Sequence, residues 1–215
     1  MPYTREHKQR TRERILRVAA RAFREEGIGG VSVPEVMGQA GLTHGGFYGH
    51  FPSKDALVIE MFEEAFGETA ESLLAQVAQA EPDNPMRAMV RAYLSRTHRD
   101  TPGDGCTVAT LGAEVARSTP EVRAGFTRAL RGYIRRLAAY LPARHSTGEY
   151  SPERSTRDEA DDEERREDDA LVLLAGMAGA LQLARAVDDP ALSDRILRAA
   201  RAFYKQSFAS NPEQP

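Results

Sequence analysis

A chain of 215 residues, 41% hydrophobic and 28% charged, is long enough for one large domain or for a small one joined to a larger. Its one cysteine, Cys106, excludes an intrachain disulfide, and no uninterrupted apolar run reaches the roughly 18 residues that span a bilayer. The net charge of −3 is unevenly spread: residues 1–54 carry nine Lys/Arg against five Asp/Glu, hence +4, and residues 55–215 carry 20 against 27, hence −7. That split suits a chain whose first part meets an acidic polymer, and equally an ordinary solvated helix face.

The N-terminus is basic and polar with no apolar stretch behind it, so neither a secretory signal nor a membrane is expected, and a reducing cytoplasm is the simplest location. Helical periodicity runs throughout, without convincing strand alternation, so the predicted class is all-α. Ile15, Val18, Ala19, Ala22 and Phe23 form one face of a first helix, Arg10, Arg14, Arg17, Arg21 and Arg24 line the other, and Gly27, Gly29 and Gly30 stop it. Arg5, Lys8, Arg10 and Arg12 are read either as a mobile basic arm or as solvated side chains.

A second helix starts at Ser32, which stands in capping-box spacing with Glu35 and has Pro34 in its first turn. Val33, Val36, Met37 and Ala40 supply its buried side, and Gly41 ends it. Thr43 is placed to cap a short third helix over residues 44–49. Ser53 caps a long fourth helix over 54–80. Beyond it, residues 82–85, 101–105 and 118–120 punctuate further helices, the last starting with Thr119 as cap and Pro120 at its first position. Residues 146–169 hold 11 Asp/Glu and four Arg with almost no apolar content, so a disordered or extended stretch is expected at about 143–164. Two final helices, about 165–187 and 190–209, are split by residues 188–190.

The capped second helix, the turn glycine and the Thr43-led third helix together make a helix-turn-helix, whose second member fits the DNA major groove. Gly45 and Gly46 each cost a helix about 1 kcal/mol relative to alanine. Their size would let the backbone approach bases or phosphates closely. The pattern alone also permits a loop that happens to hold three glycines.

The run Gly41-Leu42-Thr43-His44-Gly45-Gly46-Phe47-Tyr48-Gly49-His50-Phe51, followed by Ser53-Lys54-Asp55-Ala56-Leu57, closely resembles the signature of the tetracycline-repressor (TetR) family. So do Arg14-Ile15-Leu16 leading to Ala19, Ala22, Phe23 and Gly27, and Val31-Ser32-Val33. The resemblance covers residues 10–60; further on, only length and helical plan match. Val36-Met37-Gly38 departs from the family's usual Ile-Ala pair but keeps an apolar face.

The resemblance implies an N-terminal three-helix DNA-binding domain over 1–54 and a helical effector-binding and dimerisation domain over 55–211. Tyr48 and Lys54 match positions that meet phosphate, and Thr43 one that caps and also reaches the backbone. His44, Gly45 and Gly46 fall where base edges are approached. His50 lies beside the phosphates, and Ser32 opens a helix whose N-terminus faces them. Phe47 and Phe51 are read as core.

Partners then follow: a pseudo-palindromic double-stranded operator, a second copy of the chain and an unidentified small-molecule effector, with repression as the family's habit. Leu171, Leu174, Gly176, Gly179, Ala180 and Leu183, with Ile196, Leu197, Ala200, Phe203 and Tyr204, are the expected pairing stripes. Met89, Tyr93, Thr97, Thr110, Glu114, Phe126, Tyr133 and Met177 are candidate pocket residues, each also readable as plain core.

No phosphate loop, metal-spaced Cys/His pair or nucleophilic triad stands out, so no catalytic residue, metal or cofactor is assigned. His98 and Cys106, eight residues apart around a loop, leave a redox- or metal-responsive regulator as an alternative, against Cys106 as a small buried residue at a helix start. A helical interaction protein without DNA binding is the other alternative.

Overall fold

The computed structural model describes residues 5–80, 85–141 and 156–207, and every regular element among them is helical. Packing groups the chain into two units, Met1–Glu71 with Thr97–Leu130 and Ser72–Arg96 with Arg131–Pro215. The expected 1–54 head lies wholly inside the first.

In the first unit, α1 (Arg5–Glu26) buries Ile15, Leu16, Ala19, Ala20, Ala22 and Phe23, the apolar side that its periodicity announces. It stops at Gly27, whose φ of 83° is one that side-chain-bearing residues rarely adopt. Because α1 already begins at Arg5, the basic residues read as a possible mobile arm are helical. Arg12 is moreover turned inward: its guanidinium lies 4.2 Å over the Phe51 ring, pairs with Glu60 and donates to the His50 carbonyl. A cation with a carboxylate, a carbonyl and a ring face around it is a strut, which is the correction to the arm reading.

The short α2 (Val33–Gln39) carries the expected capping box: the Glu35 N–H reaches the Ser32 hydroxyl at 3.4 Å, and the Ser32 N–H reaches the Glu35 carboxylate at 2.6 Å. At its other end the N–H groups of Gly41 and Leu42 return to the carbonyls of Gly38 and Met37, with Gly41 at φ 66°. This Schellman closure satisfies the last carbonyls while reversing the chain. A 3₁₀ helix, His44–Gly49, follows, and α3 (Lys54–Ala80) starts under the Ser53 hydroxyl, which accepts from the Ala56 N–H at 3.1 Å. Ile15, Phe23, Val36, Met37, Phe47, Phe51, Leu57, Val58, Met61 and Phe62 are fully buried, giving these elements one core.

The rest of the first unit comprises most of α5 (Arg96–Asp100), a 3₁₀ turn at Pro102–Asp104, α6 (Thr107–Val115) and the first half of α7 (Pro120–Ala138). Thr119 caps α7, accepting from the Val122 N–H at 3.4 Å. Phe126 closes edge-on to Phe62 and Phe66, with ring centroids 5.2 and 5.6 Å apart. The 102–104 turn lies on α1, where Arg24 Nε donates to the Gly103 carbonyl at 2.7 Å. A Cβ at Gly103 would stand 2.1 Å from Glu25 Oε1, so a larger residue there would have to displace the Glu25 side chain.

The second unit holds α4 (Pro85–Tyr93), α8 (Thr156–Ala186), α9 (Pro190–Ser207) and the end of α7. Asp189 caps α9 through the N–H groups of Ala191 and Leu192, and the buried Ser193 hydroxyl donates to the Ala184 carbonyl at 2.6 Å. Helix α8 begins at Thr156, so residues 156–164 are helical, which corrects the expectation of disorder there; the part of that stretch up to 155 lies outside the described residues. Low apolar content misled, because a solvated helical stretch can be continued by the packed helix that follows it and needs no core beneath its own first turns. Arg165 and Asp162, 3.1 Å apart, add a local pair.

Within Ala160–Ala186 an 18-residue window has a mean hydropathy of 1.3, enough by length and composition to cross a membrane, although no such run was expected. Ala170, Leu173, Leu174, Met177, Ala178, Leu181 and Ala184 are buried within the unit, which accounts for one side of that apolarity.

Candidate nucleic-acid interface

Residues 41–54 form a surface whose inner half is core and whose outer half is open. Phe47 and Phe51 are fully buried and stack at 5.8 Å, the core role expected of them. Tyr48, next in sequence to Phe47, is 66% exposed. Its ring rests edge-on against Phe47 at 5.3 Å and His44 at 6.2 Å, so the phenol is oriented while its hydroxyl stays in solvent. Ser32, Thr43, His44, Gly45 and Gly46 are exposed as well. Thr43 occupies the N-cap position in an extended conformation (φ −82°, ψ 148°), but its hydroxyl makes no capping bond, contrary to that part of the expectation.

The glycines divide by cause. Gly41 is required by its positive φ. A Cβ at Gly46 would touch Met37 Cε at 3.7 Å, an ordinary contact, and one at Gly45 would meet nothing within 4 Å. Neither has a positive φ. Nothing inside the molecule therefore demands glycine at 45, where an approaching external surface would.

His50 is half-buried, with Nδ1 enclosed and without a hydrogen-bond partner among the described residues. Burial above all, and then the charges of Lys8 and Arg12, hold its pKa below the ordinary histidine value of 6.5. Lys54 is half-buried at the start of α3, and its ammonium donates to the carbonyls of Ile28 and Val31. Two of its three N–H bonds are thus engaged with the turn ahead of α2.

The candidate pocket residues fall in both units. Met89, Tyr93, Tyr133 and Met177 are buried in the second, whereas Thr97, Thr110, Glu114 and Phe126 belong to the first. The Thr110 hydroxyl bonds back to the Cys106 and Thr107 carbonyls, and the Glu114 carboxylate accepts from the N–H groups of Ile28 and Gly29 at 2.8 and 2.6 Å. Cys106 is 2% exposed at the N-cap of α6, its backbone N–H donating to His98 Nε2 at 2.9 Å. This is the geometry of a packed helix start. Among the described residues no cluster of three or more His, Cys, Asp or Glu could hold a metal ion. Sequence reasoning missed the inward role of Arg12 and the attachment of Glu114 to the α1–α2 turn, since both link residues far apart in the chain.

Comparison with known proteins agrees with this arrangement. The family profile "Bacterial regulatory proteins, tetR family" matches residues 15–61, and "Tetracyclin repressor-like, C-terminal domain" matches 84–200. The chain is 40% identical over 60 residues to the HTH-type transcriptional regulator AcrR of Shigella flexneri, covering 28% of each chain. It is 25% identical over 134 residues to EthR of Mycolicibacterium smegmatis, covering 62% of this chain and 60% of that one. The alignments thus span less than two thirds of these two relatives. In fold it is similar to the crystal structure of reduced Escherichia coli NemR, with TM-score 0.66, 23% identity and coverage of 95% and 99%. A regulator from Cytophaga hutchinsonii gives TM-score 0.67 at 23% identity, covering 93% and 95%. With profiles matching both its head and most of the remainder, the chain belongs to the TetR family of bacterial transcriptional regulators.

Proposed function

We propose that the chain is a homodimeric repressor that holds a pseudo-palindromic operator and is released from it by a small molecule. The observation that carries the DNA half is the exposed rim Thr43–Gly46 with Tyr48, mounted on the fully buried Phe47 and Phe51. A rigid core below and small or hydrogen-bonding groups above are what a major-groove reader requires. Tyr48, His50, Lys54 and the N-terminus of α2 at Ser32 would meet phosphate; His44, Gly45 and Gly46 would approach base edges, and Thr43 the backbone beside them.

Pairing is supported by Leu171, Val172 and Leu183 on α8 and Leu192 and Phe203 on α9, all exposed large apolar residues in one unit. Only 39% of the apolar window of α8 is buried, so an outward apolar face remains to be covered. Four expected members of the two pairing stripes point elsewhere, Leu197 and Tyr204 of α9 being buried as well. Leu174 is buried, and Gly176 has its own partner, since a Cβ there would stand 1.7 Å from Tyr204 Oη. The effector is of unassigned chemistry; Met89, Tyr93, Tyr133 and Met177, buried in the second unit, are the candidates to contact it there. A cytoplasmic location and the absence of enzymatic activity belong to the same reading.

Titrating the full chain with a duplex from its own promoter region, at several salt concentrations, tests this. Binding should weaken linearly on a log–log plot as counterions return to the phosphates. No affinity for any duplex at low salt would end the proposal.

A further inference from the structure

The turn between α1 and α2 is held from both sides by opposite charges. Glu114 of α6 receives the N–H of Ile28 at 2.8 Å and of Gly29 at 2.6 Å, and Lys54 of α3 donates to the carbonyls of Ile28 and Val31. The Gly29 N–H and the Ile28 carbonyl are the two ends of a single peptide group. A carboxylate on its positive end and an ammonium on its negative end polarise it in the same sense, so each charge strengthens the other's hydrogen bond.

The glycines of the turn fit this use. A Cβ on Gly27 would stand 2.9 Å from Glu114 Oε2, and one on Gly29 3.2 Å from Oε1. Gly27 is needed in any case for its positive φ, but Gly29 has none, so its missing side chain is explained by the carboxylate that fills the space. Successive N–H groups around a concave turn make an anion-binding nest, here occupied by the protein's own glutamate. Val31 immediately precedes the Ser32 cap, so both the start of α2 and Lys54 depend on where this turn sits.

We propose that Glu114 is a positioning residue for DNA binding: from α6 it fixes the Gly27–Val31 turn and, through the Ile28–Gly29 peptide, the placement of Lys54 against the duplex. The proposal rests on the reading that Lys54 faces phosphate. It assigns to Glu114 a role other than lining a ligand site.

The test uses the full chain as wild type, Glu114→Gln, Glu114→Ala, Lys54→Ala and the Glu114→Ala/Lys54→Ala double variant. Two readouts are taken, amide exchange over residues 27–31 in the free protein and affinity for the own-promoter duplex. Glu114→Ala should speed exchange at Ile28 and Gly29 and weaken duplex binding about tenfold, with Glu114→Gln, which keeps an acceptor, in between. In the Lys54→Ala background the loss from Glu114→Ala should shrink, because both act through one peptide. Should Glu114→Ala fail to fold, Glu114→Gln carries the comparison. Wild-type affinity in the folded Glu114 variants, or full additivity with Lys54→Ala, overturns the positioning role and leaves the DNA reading intact. A wild type that binds no duplex removes both.

Discussion

Gly41 and Gly45 lie four residues apart and should answer opposite questions. At Gly41 the backbone is in the left-handed region, at φ 66°, so Gly41→Ala should lower unfolding free energy in urea by roughly 1–2 kcal/mol. At Gly45 no neighbour and no positive φ stands in the way, so Gly45→Ala should leave stability unchanged or slightly raised while duplex affinity falls. His50 adds a pH prediction. Its pKa is held below the ordinary value by burial and by Lys8 and Arg12, so the folded chain binds fewer protons there than the unfolded chain. The stability from this group is present above that ordinary value and is lost as pH falls from it through the lowered one. A phosphate beside the ring favours the imidazolium, so duplex affinity should rise as pH falls towards and below the ordinary histidine value, and His50→Gln should flatten that rise. Affinity titrations across this range check it.

At the level of elements, the capping box makes α2 the most exposed of the predictions to a single change. Ser32→Ala removes the hydroxyl that accepts from the Glu35 N–H, while the backbone N–H at position 32 can still donate to the Glu35 carboxylate, so it should cost about 1 kcal/mol by urea unfolding. Glu35 is held below the ordinary carboxylate value by its bonds to the Ser32 side chain, then its backbone, and by Lys54. The box should therefore contribute fully above that value and be lost as pH drops through the lowered one. The boundaries of α1, α2, the 3₁₀ helix and α3 were legible because their stop and start signals are local: Gly27, the Ser32/Glu35 pair, Gly41 and Ser53 each act within four residues. The exposure of the rim proposed to face DNA was legible for the same reason, alternating with the buried Phe47 and Phe51. What could not be read depends on distant partners. Arg12 looks like any solvated arginine until Glu60 and Phe51 are beside it, and Glu114 looks like a pocket carboxylate until Gly27 and Gly29 are brought up to it. The acidic start of α8 failed differently, because composition registers only the lack of a core and does not by itself exclude a solvated helix.

For the whole molecule, the expectation is two reading heads made useful by one pairing face. Leu183 and Phe203, exposed among the described residues, are assigned to that proposed face. Leu183→Asp with Phe203→Asp should convert a dimer to a monomer in sedimentation, keep helical content, and reduce operator affinity far more than any single change in a head, since one head covers only a half-site. The most direct measurement of the central claim is a base-protection footprint of the full chain on its own promoter. Two protected major-groove segments related by a dyad are expected, their centres about one helical turn or a small multiple of it apart, around 10–10.5 base pairs per turn. Protection of one segment alone, protection without a dyad, or no protection under conditions of saturating binding would contradict that claim.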